Sequence, residues 1–207
     1  MGFVLFLLAA IAIALSPGPG LLYVAARSVA GGRGEGIASS FGTAIGGLVH
    51  VIAGAIGLSA LIMASAEIFT IVKLVGACYL VWLGIRAWRS AGISLDDLSL
   101  STAGNRRAFL DGIVVEVFNP KTAAFFLAFT TQFIDPAQGH FALQFVILGS
   151  ISVFLNTSAD LIVVVFATSL RRRASTHPHW FSRLQKASGG LLVSLGIALA
   201  FARRPAV

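Results

Sequence analysis

Lys121 is the residue whose position asks most for a chemical explanation. It follows a proline in Asn119-Pro120-Lys121, midway along an apolar run that reaches from about 109 to 133. A lysine at that depth of a membrane costs about 2.5–3.5 kcal/mol on insertion scales, so it must face protein or a water-filled cavity. Pro120 lacks a backbone donor and clashes one turn back, at a cost of roughly 3 kcal/mol. It also opens a new half-helix, whose free N–H groups and positive dipole end would join the ammonium in favouring an anion such as a carboxylate. Two acids lie in comparable surroundings. Glu116 is one turn before Pro120, and Asp160 ends the run Leu155-Asn156-Thr157-Ser158-Ala159-Asp160 with Asn156 on the same helical face. Intramembrane acids mark proton relays or sites for a substrate amine. His50, in another apolar run, is a third proton-coupling candidate beside Asp160 and Glu116, because an imidazole can change charge at physiological pH.

A second break, Ser16-Pro17-Gly18-Pro19-Gly20, sits in the first apolar run. Pro17 and Pro19 end one half-helix, Gly18 and Gly20 let a ligand or another backbone come close, and Ser16 is a candidate cap for the next half-helix. Paired breaks at matching places are the best sequence pointer to a transporter's binding site. The candidate substrate-binding residues are therefore Ser16, Pro17, Gly18, Pro19, Gly20, Asn119, Pro120, Lys121, Asn156 and Asp160. Plainer readings exist for each: a bare proline kink, a lysine that only pairs with a buried acid, a structural Asp160–Lys121 pair, and a neutral hydrogen-bonded core histidine.

These residues need helices that cross a membrane. Of 207 residues, 57% are hydrophobic and 11% charged, with a mean hydropathy of +0.91. A soluble domain carries about 25% charge. The expected fold class is all-α: a polytopic membrane protein with six transmembrane helices. A crossing takes about 20 apolar residues, and the stretches 3–26, 37–64, 68–88, 109–133, 141–169 and 184–202 qualify. Residues 1–16 have the apolar run of a signal peptide but lack a basic start, and the apolar pattern resumes after Gly20, which predicts one broken span, 3–26, that is retained. Eleven of the 15 Lys and Arg residues fall near the first, third and fifth connections. The positive-inside rule then makes those connections cytosolic and sets the N-terminus outside. It also accounts for the net charge of +7 without nucleic acid.

The chain reads as one transmembrane domain over 1–207, with repeat one about 1–90, a cytosolic loop about 91–107 and repeat two about 108–207. Lys73-x-x-Gly76 with Leu83-Gly84-Ile85 has a counterpart in Lys186-x-x-Gly189 with Leu195-Gly196-Ile197. Three spans is an odd number, so two such copies would be inverted, which suits alternating access. Gly42-x-x-x-Gly46 fits close helix packing, either internal or at a dimer face. Cys78 is the one cysteine, which leaves no dithiol pair and reads as a small packing residue. No cofactor, metal site or nucleic-acid partner is expected, and no Gly-x-Ser-x-Gly or His-Glu-x-x-His sequence points to an enzyme. Efflux of a divalent metal or another small solute is the alternative, with His50 and Cys78 as its thin support.

Four segments together resemble the lysine/threonine/homoserine exporter family, the LysE-type translocators. They are Ser16-Pro17-Gly18-Pro19, Arg27-Ser28 to Gly36, Lys73 to Leu80 continuing to Leu83-Gly84, and Phe118 to Phe126 with Gln132-Phe133 after it. The resemblance implies six spans, proton-driven amino-acid export, a bacterial inner-membrane location and a homodimer among lipids. The family commonly has Asn after its first Pro-Gly-Pro, where this chain has Gly20; any ligand role there falls to backbone atoms. Two acids beside one lysine favour small neutral amino acids of the threonine or homoserine kind over acidic ones.

Overall fold

The computed structural model describes all residues except 1, 65, 90–100, 171–185, 187–188, 191, 195, 198–199 and 202–207. Among the described residues helix dominates and no strand occurs. α1 spans Gly2–Leu15, α2 Pro19–Ala64, α3 Ala66–Arg89, α4 Asn105–Val117, α5 Pro120–Ala124 and α6 Phe141–Leu170. Among the described residues two helices are long and apolar enough to cross a membrane alone, within Pro19–Gly57 and Phe141–Thr168. A third crossing follows if Asn105–Val117 and Pro120–Phe133, bent by 44° at their break, are one span. Large apolar side chains stand on the outer surface, including Leu8, Ile56, Phe154 and Phe166. A water-soluble monomer does not expose so much contiguous apolar area; a lipid-facing surface does.

The expected stretches map onto these elements unevenly. α6 reproduces 141–169 and α3 contains 68–88. The stretch 3–26 becomes α1, the break and the start of α2. The expected first connection, 27–36, is instead helical. A straight run of the 39 residues Pro19–Gly57 would be about 58 Å long, nearly twice the hydrocarbon thickness of about 30 Å. Gly32 divides it, with φ 76° and ψ −165°, a left-handed region that glycine enters without a Cβ penalty.

The stretch 109–133 is regular only as far as Val117. After α5 the chain winds as a π-helix over Phe125–Phe129 and as a 3₁₀-helix over Thr130–Phe133. Thr130 Oγ1 donates to Phe125 O at 3.3 Å, five residues back, which supports the wide turn. The loosened backbone spreads its rings into the core. Phe125 and Phe129 stack with centroids 5.4 Å apart, Phe129 meets Phe133 at 5.0 Å, and Phe6 of α1 closes on Phe133 at 5.4 Å.

α2 packs chiefly on α4 and α6, and small residues set how closely. A Cβ on Gly42 would strike Phe109 O, one on Gly46 would lie 2.7 Å from Glu116 Cβ, and one on Gly112 would lie 2.7 Å from Ser39 O. The Gly42-x-x-x-Gly46 face is thus used inside the chain, against α4. Cys78 is exposed on α3 rather than packed. The stretch 184–202 is described only in part; its Gly189 and Gly196 approach α3, as set out below.

Candidate functional site

Each proline leaves one carbonyl without its helical donor, four residues earlier. Pro17 orphans Ile13 O, and Pro120 orphans Glu116 O. Ile13 O accepts instead from Ser16 N at 3.1 Å and from Lys121 Nζ at 3.1 Å. Lys121 Nζ also donates to Ser16 O at 2.9 Å. The ammonium is therefore buried, 5% exposed, and it closes the C-terminal end of α1. Cationic groups are favourable at that end of a helix. Gly18 makes room for it: a Cβ there would come 2.9 Å from Lys121 Cε. At the second break, Glu116 O accepts from Asn119 N at 3.0 Å. His50 Nε2 lies 2.9 Å from the same carbonyl. A carbonyl only accepts, so His50 carries its proton on Nε2 in this arrangement. Its ring stacks near Phe126, with centroids 6.2 Å apart.

Asn119 organises the rest. Its Oδ1 accepts from Lys121 N at 3.0 Å, capping α5, which fixes the amide so that Nδ2 donates to Glu116 Oε2 at 2.9 Å. Thr122 Oγ1 donates to Glu116 Oε1 at 2.6 Å. Each carboxylate oxygen of Glu116 thus has its own donor, although the side chain is buried. Gly20 is needed for this, because a Cβ at that position would collide with Glu116 Oε2. Across the gap, Asp160 on α6 is 6% exposed and meets Thr43 Oγ1 of α2 at 2.9 Å.

These groups surround a cavity of about 20 Å³, space for about one water molecule. Gly20, Asn119, Lys121, Asn156 and Asp160 line it, and so does Glu116. The structure brings those expected residues together from four elements. Ser16, Pro17, Gly18, Pro19 and Pro120 lie outside the lining; they shape the breaks. Ser16 Oγ is buried without a hydrogen-bond partner, so it does not cap α2. The backbone ends do less than expected: α5 is five residues long and its Lys121 N–H is taken by Asn119. His50 works from behind the cavity through the Glu116 carbonyl. Sequence reasoning missed Thr43, Thr122 and Thr157, which also line the cavity. A hydroxyl in a helix is cheap and common, so nothing marks it beforehand, except that Thr157 lies in the polar run before Asp160.

A second polar cluster went unforeseen. Arg27 Nη1 donates to Ser101 O at 3.1 Å, Nη2 to Asp111 Oδ2 at 3.4 Å and Nε to Tyr23 Oη at 3.0 Å. Tyr23 Oη donates to Ala108 O at 3.1 Å. Glu35 Oε1 accepts from Ala103 N and Gly104 N, both at 2.8 Å, and Oε2 lies 3.6 Å from Arg27. Residues 101–111 are thereby fastened to α2 on both sides of Gly32. Asp111 pairs with Arg107 at 3.7 Å as well as with Arg27.

The sequence profile of the LysE type translocator family matches residues 11–203. A homoserine/homoserine lactone efflux protein of Salmonella typhimurium is 35% identical over 96% of this chain and 95% of its own length. An uncharacterized membrane protein of Vibrio cholerae is 32% identical over 96% of each chain. A leucine efflux protein of Salmonella choleraesuis is 32% identical over 70% of this chain and 69% of its own. No solved structure matches the chain.

Proposed function

We propose that this chain, which belongs to the LysE-type translocator family, exports small neutral amino acids through the cavity between its two proline breaks. That it is a membrane transporter for amino-acid efflux, and not an enzyme, follows from the family and the relatives. The finer reading is that a homoserine-like or leucine-like zwitterion is carried in exchange for protons across a bacterial inner membrane, by a homodimer. The observation that carries it is a buried ammonium and two buried carboxyl groups converging where two helices are broken. An ammonium has three N–H donors; Lys121 uses two on α1, and the third is left for a substrate carboxylate, with Asn156 beside it. Asp160 and Glu116 suit the α-ammonium. One cation against two acids disfavours a second negative charge on the substrate, and the two efflux relatives are named for uncharged side chains.

Alternating access would use six crossings in two inverted repeats, 1–90 and 108–207, joined by the loop 91–107. Three contacts support the symmetry. A Cβ on Gly84 would approach Gly189 O at 2.5 Å, one on Gly189 would approach Gly84 O at 2.6 Å, and one on Gly196 would approach Ala77 O at 2.7 Å. Exchanging Gly84 for Gly196 and Gly76 for Gly189, as the duplicated pattern prescribes, converts the first contact into the last to within one residue. The cavity has room for about one water molecule, so export requires the repeats to part. Proteoliposomes loaded with labelled homoserine or leucine provide the test. Counterflow with either, lost in Lys121→Met, supports the reading; wild-type vesicles that move no amino acid overturn it.

A further inference from the structure

Resting on that reading, we infer that the transported proton is held by Asp160, with Thr43 as the positioning residue that registers whether it is there, while Glu116 remains an ionised anchor. The reasoning is a count of hydrogens. Thr43 Oγ1 lies 2.8 Å from Ser40 O and 2.9 Å from Asp160 Oδ2. A hydroxyl has one proton to donate, so it cannot serve both oxygens. When Asp160 is ionised, the Thr43 proton turns to the carboxylate and Ser40 O keeps only its backbone donor within α2. When Asp160 carries the proton, its own O–H donates to Thr43 Oγ1, whose hydrogen returns to Ser40 O. Both states leave each oxygen reasonably placed, and they differ by one proton and one hydroxyl rotation. The proton binds Asp160 from the side to which the cavity is open and leaves to the other side after the repeats move; no bond other than that O–H is made or broken.

Glu116 lacks this freedom. Asn119 Oδ1 is committed to Lys121 N, so Nδ2 can only donate to Glu116 Oε2, and Thr122 donates to Oε1. A proton on Oε2 would face the Asn119 N–H, and one on Oε1 would displace the Thr122 hydrogen, which has no second acceptor among the described hydrogen bonds, so the exchange open to Thr43 is closed here. The groups around Asp160 are otherwise few. α2 contributes Thr43 and, behind Glu116, His50; α4 contributes Glu116; and α5 contributes Lys121. α1 and the rest of α6 contain no titratable side chain. Lys121 and Glu116 offset one another, so adding a proton to Asp160 changes the charge of the cavity by one unit and lets a net-neutral substrate replace it.

The test uses the full chain in proteoliposomes loaded with labelled homoserine, counting exported label and the protons that enter, with a pH dye inside. In Asp160→Asn the protons per exported molecule should fall to background. In Glu116→Gln export should slow while each exported molecule still brings in its proton. The reverse assignment, a coupled Asp160→Asn beside an uncoupled Glu116→Gln, overturns the inference. Should Asp160→Asn export nothing, the Thr43 variants decide. Thr43→Val removes the donor to the carboxylate and should move the pH profile of export about one unit toward alkaline, from the loss of one hydrogen bond to a charged group. Thr43→Ser should keep the wild-type profile. Identical profiles for all three forms overturn the inference, whereas absence of amino-acid export by the wild type overturns the export reading on which it rests.

Discussion

The two proline breaks pose the same backbone problem and answer it with different side chains. In each, the carbonyl four residues before the proline accepts from the residue just ahead of the proline and from a side chain of the other half of the chain. At Ile13 that side chain is the Lys121 ammonium; at Glu116 it is the His50 imidazole. The second break has its own cap in Asn119, whereas the buried Ser16 hydroxyl caps nothing. The first break therefore contributes shape and carbonyls, and the second contributes charge. Two like backbone breaks carry unlike side chains, and each half of the chain completes the other. A zwitterion needs such asymmetry, because its two ends carry opposite signs.

The most severe way to break this comparison is Lys121→Met. It removes two charge-assisted hydrogen bonds from α1, each of about 1.5–3 kcal/mol, and the cavity's one cation. Initial export rates should fall by at least ~100-fold, and the melting temperature of purified protein should drop. Wild-type export from this variant would reduce the ammonium to a plug for α1. A subtler change reaches the same nitrogen from the other side. Gly18→Ala puts a methyl 2.9 Å from Lys121 Cε and 3.0 Å from Nζ, so the side chain must move off its carbonyls. A fall in export of about tenfold is expected, corresponding to ~1.4 kcal/mol, with a smaller drop in melting temperature than in Lys121→Met. Gly57→Ala is the control, since no atom lies within 4 Å of its added methyl. Equal behaviour of the two alanines would show that the close packing at Gly18 is not needed.

Lys121, Glu116, Asp160 and the prolines were legible in the sequence because a charge or a missing donor inside an apolar stretch is costly and stands out. α3 and α6 were legible from length and composition alone. Gly32 was not, since one glycine among Gly31, Gly34 and Gly36 does not announce which will turn left-handed. The π and 3₁₀ windings after Pro120 were hidden for a related reason. They follow from where the phenylalanine rings fit against Phe6 and Phe145, a tertiary cause with no local signature. Arg27 is one of the basic residues near the first connection, and a count of charges cannot reveal that its partners are Glu35, Asp111 and a carbonyl 74 residues away.

The smallest expected effect sharpens the comparison most. His50→Leu leaves Glu116 O with Asn119 N alone and should cost about 1 kcal/mol of stability, the net contribution of one hydrogen bond; His50→Gln, which can still donate, should recover part of it. Pro120→Ala supplies a donor at residue 120 and removes the clash that disfavours a helical Asn119. If the proline keeps Asn119 at its extended ψ of 106°, the chain straightens, Glu116 O finds its helical partner, and His50→Leu becomes nearly silent in that background. The double-mutant cycle in chemical denaturation would then show a coupling of about 1 kcal/mol. Additive costs would mean instead that the Asn119 cap on Lys121 N holds the break open without the proline. The second break would then be maintained by a cap of its own and the first, where Ser16 caps nothing, by its prolines and the Lys121 ammonium, so that the first should yield more readily to a proline replacement.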